Sequence, residues 1–247
     1  MTETISQKLQ KIAENTLKVY EAGVDVGRQA EYDAWWDSFT NFGSRRGYQN
    51  AFMYWGSDYI RPNRKIVPVD TSTRSSTFNR ANIKAIEKEY FDFSQCPRGT
   101  SNQQGWYYTF FSCPNLEVIE DVGIKNAYAF VATFSSSPKL HTIECIYPDA
   151  DTRFQETFDY CNALVNLRVN GVIGQPFDIH WSRKLSKESI VSIINALSDM
   201  TDILPITFSE AAVNKAFETS TGANDGSSSD EWDSLLFSKR NWVISLI

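Results

Sequence analysis

The chain has 247 residues, of which 42% are hydrophobic and 22% charged, and its formal net charge is −6. This composition is ordinary for a soluble globular protein and provides enough apolar residues for a sizeable core. An acidic protein without a basic stripe binds nucleic acid poorly, because neutralisation of phosphates supplies most of that affinity. The first residues have no basic start followed by an apolar run, and no stretch approaches the ~18 apolar residues of a membrane span. We therefore expect no nucleic-acid partner, no secretory signal and no membrane insertion.

Residues 1–40 carry hydrophobic side chains in a heptad pattern about three repeats long. The pattern predicts a helix that oligomerises or anchors the protein, with a homotrimer as the favoured assembly. An amphipathic helix that packs on its own domain is the alternative. The predicted contact residues are Ile5, Leu9, Ile12, Val19 and Val26.

Residues 41–75 are rich in aromatic side chains and are punctuated by glycine and proline. This composition predicts an irregular neck after the helix. Such a neck could pack against the next module or against a partner subunit, and the sequence does not separate these two possibilities.

An internal repeat follows the neck. Three stretches align without gaps, and their leucines stand 24 residues apart at Leu116, Leu140 and Leu164. The shared spacing, F-x-x-C/S-x-x-L-x-x-I, has a period within the range of leucine-rich repeats, roughly 20–29 residues. It predicts a solenoid of parallel strands over 76–180, in which neighbouring turns share one core. An insertion at 98–105 breaks the period upstream.

The last segment, 181–247, alternates helical and strand patterns. Ser186 and Ser209 have the character of helix N-caps, and 204–208 and 242–247 read as strands. The segment is expected to form an α/β cap that extends the sheet and covers its open edge. The predicted fold class is therefore α/β: an N-terminal helix, a leucine-rich-repeat solenoid and an α/β C-terminal cap.

The four cysteines are expected to be reduced thiols that fill a core. Cys113 and Cys161 occupy equivalent repeat positions two strand spacings apart, about 10 Å, which is too far for a disulfide. The repeat has Ser137 at the position between them, so this place requires a small side chain and not a thiol in every turn. The cysteine spacing contains no C-x-x-C pair, so a zinc site is not expected.

The two histidines provide weak grounds for catalysis. Asp178, His180 and Ser182 alternate and would share one face of a strand, but alternation alone does not build a hydrogen-bonded relay. His141 follows Leu140 within the repeats and is expected at the surface. We expect no enzyme activity, no metal and no cofactor.

Two surfaces are candidates for binding. Equivalent strand positions would form two outward rows, which are Val118, Thr142 and Asn166 beside Glu120, Glu144 and Arg168. The alternative is that these residues are merely solvated. Trp106 and Tyr107 follow the insertion and could stack on sugar rings, or else be buried between turns.

The repeat motif resembles the BspA-type leucine-rich repeats. The order of parts adds to this: a heptad helix, Phe-x-x-Cys-x-x-Leu repeats, and a closing block with "LSKESIVSIINALSD" and "SDEWDSLLFSKRNWVISLI". Nearly the whole chain resembles leucine-rich-repeat proteins of phages and prophages from gut Firmicutes, which are regarded as virion- or tail-associated.

The resemblance implies a non-enzymatic virion structural protein of the tail, baseplate, fibre or head-fibre type, assembled in the host cytoplasm. Its implied partners are other virion proteins, further copies of itself, and a host cell-surface protein or glycan. The alternatives are a bacterial surface adhesin with leucine-rich repeats and, less favoured, a cell-wall glycan hydrolase.

Overall fold

The structure is a computed structural model that describes residues 52–60, 62, 65–68, 75–199, 202–218 and 230–247. All of them belong to one compact unit, Ser44–Ile247. The predicted oligomerisation helix at 1–40, with its five contact residues, lies outside the described residues, as does much of the predicted neck. Both remain predictions.

The described residues contain ten strands, three α-helices and a 3-10 helix at Asn102–Gln104. The strands are β1 (Ala85–Ile86), β2 (Val118–Ile119), β3 (Ile124–Lys125), β4 (Ala129–Val131), β5 (Thr142–Tyr147), β6 (Arg153–Gln155), β7 (Asn166–Val169), β8 (Phe177–Asp178), β9 (Leu204–Phe208) and β10 (Trp242–Leu246). The helices are α1 (Lys187–Ala196), α2 (Glu210–Phe217) and α3 (Asp230–Phe237). Within the described part of the chain, no helix has the length and hydropathy that crossing a membrane requires.

The prediction of a leucine-rich-repeat solenoid over 76–180, with a cap that extends its sheet, is wrong. The described residues form an α/β arrangement in which short parallel strands are divided among three small sheets. β5 pairs with β2, β3 and β7, while β4 and β6 pair separately, so the strands do not follow a single ladder. The insertion at 98–105 also lengthens the step from Ile86 to its partner Ile119 to 33 residues.

The C-terminal strands differ from the prediction in the same way. β8, β9 and β10 form a parallel sheet of their own, with β9 in the centre, and they do not extend the sheet of β5. The predicted strand at 204–208 is confirmed as β9. Ser186 is confirmed as the N-cap of α1, because its side chain accepts a hydrogen bond from the amide of Ser189.

Residues 24 positions apart pair in register where the strands are regular. Thr142 of β5 lies between Val118 of β2 and Asn166 of β7, and the buried Ile143 has equivalent partners in Ile119 and Leu167. Successive side chains along β7 are exposed and buried in turn, so one side of the strand faces the core and the other faces outward. This register places the predicted outward residues side by side.

The turns that precede these strands also stack on one another. In four successive turns the amide of a phenylalanine donates to the carbonyl of the threonine in the next turn, at 2.8 to 3.0 Å. The phenylalanine rings stack with centroids 5.2 to 5.8 Å apart. We call this set the phenylalanine stack; its members are Phe52, Phe78, Phe110, Phe134 and Phe158.

A second run of aromatic rings lies beside the phenylalanine stack. Trp106 contacts Phe93 and Phe130, and Phe130 stacks on Phe154. Both runs end on Phe177, whose ring centroid lies 4.8 Å from that of Phe154 and 5.6 Å from that of Phe158. Aromatic burial therefore joins the repeat region to β8 of the C-terminal sheet.

Candidate binding face

The first predicted row, Val118, Thr142 and Asn166, lies on the outward side of β2, β5 and β7. Val118 and Thr142 are half-buried and Asn166 is exposed. The side-chain nitrogen Nδ2 of Asn166 donates to the hydroxyl of Thr142 at 3.2 Å, and Nδ1 of the exposed His141 lies 2.9 Å from the same oxygen. The row forms a small polar network on the strands, with Asn166 and His141 open to solvent.

The second predicted row, Glu120, Glu144 and Arg168, is partly occupied by contacts within the chain. Oε2 of Glu120 accepts from the amide of Lys88 at 2.8 Å, and Oε2 of Glu144 accepts from the amide of Asp121 at 2.9 Å. Both carboxylates thus accept hydrogen bonds from neighbouring backbone segments. Arg168 is different, because its side chain is 63% exposed and its ion pair with Asp121 is long, at 3.9 Å.

Two shallow clefts flank Arg168. One, of about 560 Å³, lies between the outward rows and α1, and its lining is completed by Ser186, Glu188, Ser189 and Ser192. The other, of about 500 Å³, lies between the end of β7 and Asn195 of α1. Arg168 lines both, so its guanidinium group is available to a ligand that enters either cleft. We call the outward rows together with these two clefts the candidate binding face.

Sequence reasoning did not anticipate that α1 contributes to this face. Hydroxyl groups of α1 take the place of a further strand beside β7: Oγ of Ser189 accepts from the amide of Leu167, and Oγ of Ser192 accepts from that of Val169, both at 2.9 Å. The pattern that could have revealed this is the recurrence of serine on the helix side that also carries Ile193. The helix covers the edge of β7 and forms one wall of the clefts.

A third cleft, of about 380 Å³, lies at the other end of β5. The phenol of Tyr147 donates to Oδ2 of Asp121 at 2.6 Å, and this hydrogen bond raises the pKa of the phenol above its ordinary value. Nζ of Lys88 lies 3.8 Å from Oε2 of Glu144. Charges of both signs therefore neutralise one another along this wall, which makes it a weaker candidate for a charged ligand. Its lining also includes Lys65, Asp92 and Lys125.

The structure separates the two aromatic candidates. Trp106 is fully buried, and its indole nitrogen donates to the carbonyl of Lys125 at 3.1 Å. The prediction that Trp106 stacks on an external sugar is therefore wrong, because its ring packs in the second aromatic run. Tyr107 is half-buried, and its ring contacts that of Tyr108 at 4.4 Å.

Asp178, His180 and Ser182 do not form a relay. Nδ1 of His180 lies 2.7 Å from Oδ1 of Asp178. The hydroxyl of Ser182 is buried and has no hydrogen-bond partner among the described residues, so it is not activated by His180. A serine nucleophile requires a base within hydrogen-bond reach, and this serine has none.

The cysteines are buried donors to the backbone. Sγ of Cys113 lies 3.0 Å from the carbonyl oxygen of Phe78, and Sγ of Cys161 lies 3.1 Å from that of Phe134. Oγ of Ser137, at the equivalent position, donates to the carbonyl of Phe110 at 2.8 Å. The position therefore requires a small side chain that can also donate, a requirement that thiol and hydroxyl both meet.

Burial makes these thiols unreactive. It raises the pKa of Cys113 and of Cys161 to about 12, so both remain protonated in mildly alkaline buffer. We expect the four buried thiols to react with a disulfide reagent only when the protein unfolds. Absorbance after mixing with excess reagent, with and without denaturant, measures this.

A variant with a surface thiol provides the control. Ser238 is exposed at the end of α3, and Ser238→Cys is expected to add a single thiol that reacts at once in the native protein. Immediate reaction of a wild-type thiol under native conditions would contradict the assignment of these cysteines to the core.

A comparison of the chain with protein-family models, with curated proteins and with solved structures found no match to any of them. The resemblance to virion proteins therefore rests on the sequence features described above.

Proposed function

We propose that this chain is a non-catalytic structural protein of a bacteriophage particle. It attaches the particle to a host surface, or to neighbouring subunits, through the candidate binding face. The observation that carries the binding role is the open surface around Arg168, where polar groups on hydrogen-bonded strands border two clefts. The order of parts along the sequence supports the assignment to a particle.

The groups on this face suit recognition better than reaction. Asn166 and Arg168 are exposed on β7 and offer hydrogen-bond donors at fixed spacing, while Glu144 is already bonded to a backbone amide. A surface held by strand pairing on one side and by α1 on the other loses little conformational entropy when it binds. The arrangement therefore favours contact with a partner over proton or group transfer.

Weak contacts of this kind become effective when they are repeated. A homo-oligomer, with a trimer favoured, would present several copies of the face on one particle. Linked sites raise the effective concentration of the second contact, so avidity exceeds the affinity of each site. A shallow face with modest affinity is sufficient for attachment under these conditions.

The proposal is tested by location and by binding. Antibodies against the chain are expected to label intact phage particles in electron micrographs. The fluorescently labelled full chain is expected to bind cells of a panel of gut Firmicutes or to co-purify with other particle proteins. Replacement of Arg168 by glutamate should lower that binding about tenfold, because it reverses the charge between the two clefts.

Arg153→Glu is the matched control. Arg153 is exposed on β6, outside the face, so the same charge change there should leave binding unaltered. Label on the bacterial surface in the absence of phage would favour the adhesin alternative. Protein found only as a soluble monomer, free of particles and of cells, would refute the proposal.

A further inference from the structure

An exposed aromatic ring, that of Tyr160, meets a half-buried one, that of Trp181, at the junction between the last repeat turn and β8. The ring of Tyr160 lies 4.4 Å from that of Trp181, with an angle of 36° between the planes. His180 lies beside Trp181 at 5.1 Å and is held by Asp178. We call Tyr160 and Trp181 the aromatic platform. It shares no residue with the candidate binding face.

The core beneath the aromatic platform holds it in place. Phe158, two residues before Tyr160, packs on Phe177 at 5.6 Å. After β8 the chain is tied to β9 by the amide of Ile179, which donates to the carbonyl of Thr207 at 2.9 Å. The amide of Ser182 donates back to Ile179 at 3.0 Å. Both rings therefore stand on segments whose backbones are fixed before any ligand arrives.

The tyrosine at this place is not explained by the fold. Tyr160 has a φ of 59°, in the left-handed region that bulky side chains rarely adopt. The equivalent positions in the two preceding turns have φ values of 55° and 61° and carry Ser112 and Ser136. Serine thus satisfies the turn, whereas Tyr160 leaves 52% of its surface exposed. The left-handed φ recurs at Tyr54 and Arg80 in the earlier turns, so it belongs to the turn itself. What distinguishes Tyr160 is that its exposed ring lies against that of Trp181.

The polar groups around the aromatic platform define the chemistry of its ligand. Asp159 and Asp178 offer carboxylate oxygens that accept hydrogen bonds from hydroxyl groups, and His180 offers a ring nitrogen. Partial burial, together with the nearby carboxylates of Asp178 and Glu156, raises the pKa of Asp159 above its ordinary value. This concentration of negative charge disfavours phosphate and carboxylate groups on a ligand.

We propose that the aromatic platform is the stacking surface of a saccharide-binding site that takes neutral or amino sugars. The apolar faces of a sugar ring pack on Tyr160 and Trp181 while its hydroxyl groups donate to Asp159 and Asp178. An amino group on the sugar would add a charge-assisted hydrogen bond to either carboxylate. This proposal rests on the proposed attachment function and specifies saccharides as its ligand class. Saccharide binding can be measured on the isolated chain.

A second aromatic cluster lies within reach of a longer glycan. Tyr108 contacts Tyr107 at 4.4 Å and Phe111 at 4.7 Å. This cluster lies in the turn of Ser112, two turns before that of Tyr160, a separation of about 10 Å at the spacing of paired strands. An oligosaccharide that runs along the stacked turns could contact both clusters, and a role of Tyr107 in sugar binding stays a prediction.

The test uses native electrophoresis of the full chain through gels that contain a soluble polysaccharide. The probes are galactomannan and xyloglucan as neutral polymers, glycol chitosan as an amino-sugar polymer, and polygalacturonate as an anionic polymer. We expect at least one neutral or amino-sugar polymer to retard the wild type, and polygalacturonate to have no effect. Tyr160→Ser and Trp181→Ala should each weaken the binding about tenfold.

Tyr160→Ser is the decisive variant, because serine is the residue that the two preceding turns contain at this position, as Ser112 and Ser136. The circular dichroism and thermal unfolding of this variant should match those of the wild type. Tyr54→Ser is the control: Tyr54 is 63% exposed in an earlier turn, beside Arg80 and outside the aromatic platform, and its loss should not alter retardation.

Three results would overturn the saccharide site: no retardation by any polymer, retardation by polygalacturonate alone, or unchanged binding by Tyr160→Ser. If antibodies label phage particles but one of these results is obtained, the saccharide site is refuted and the particle assignment stands.

Discussion

Replacement of Phe134 by alanine is expected to lower the free energy of unfolding by about 3 to 5 kcal/mol. Phe134 is fully buried in the phenylalanine stack, with Phe110 at 5.8 Å on one side and Phe158 at 5.4 Å on the other. Truncation removes a fully buried aromatic ring and leaves a cavity. The neighbouring turns cannot close it, because their backbones are already hydrogen-bonded to each other.

Urea unfolding monitored by circular dichroism measures this loss. Phe134→Leu should cost much less than Phe134→Ala, because leucine fills most of the space. Phe237→Ala is the surface control: Phe237 is 68% exposed on α3, and its replacement should alter stability by no more than about 0.5 kcal/mol. Equal effects of Phe134→Ala and Phe237→Ala would show that the phenylalanine stack does not stabilise the protein.

The positions of the outward residues follow from the repeat period, and this part of the site could be predicted. A shift of 24 residues relates Thr142 to Asn166, and the parallel register pairs the same two residues. What those side chains bond to was beyond prediction. Glu120 faces the amide of Lys88 only because the step between their strands is 33 residues, a length set by the insertion at 98–105. The 24-residue period of the other repeats does not reveal the length of this irregular step between β1 and β2.

The same limit explains the outcome for the fold. Short strands pair wherever the chain brings edges together, and β5 has different partners along its six residues. A repeat alignment shows which residues are equivalent, but it does not show whether one ladder continues or branches. Cys113 illustrates the difference: its recurrence as Ser137 predicted a small buried residue, whereas the carbonyl of Phe78 that it faces is visible only in three dimensions.

The edge of β7 provides the second large effect. Ser189→Ala is expected to lower the free energy of unfolding by about 1 to 3 kcal/mol, because it leaves a buried backbone donor without a partner. Oγ of Ser189 accepts from the amide of Leu167 at 2.9 Å and also lies 2.9 Å from the carbonyl oxygen of Val165. That carbonyl keeps a second bond from the amide of Ser186, so the orphaned group is the Leu167 amide.

Urea unfolding and hydrogen exchange together identify this cause. In Ser189→Ala the Leu167 amide should exchange faster, while that of Asn170, which donates to the carbonyl of Ile146 at 2.9 Å, should keep its protection. Ser234→Ala is the control. Ser234 is exposed on α3, so this variant removes a serine hydroxyl that takes no part in the contact with β7. Two results would show that the hydroxyl of Ser189 does not substitute for a neighbouring strand. One is a loss of unfolding free energy in Ser189→Ala no greater than that in Ser234→Ala. The other is equal acceleration of hydrogen exchange at the amides of Leu167 and Asn170. An uncovered β7 would then have to be protected by other means, because an unpaired strand edge invites association with other chains.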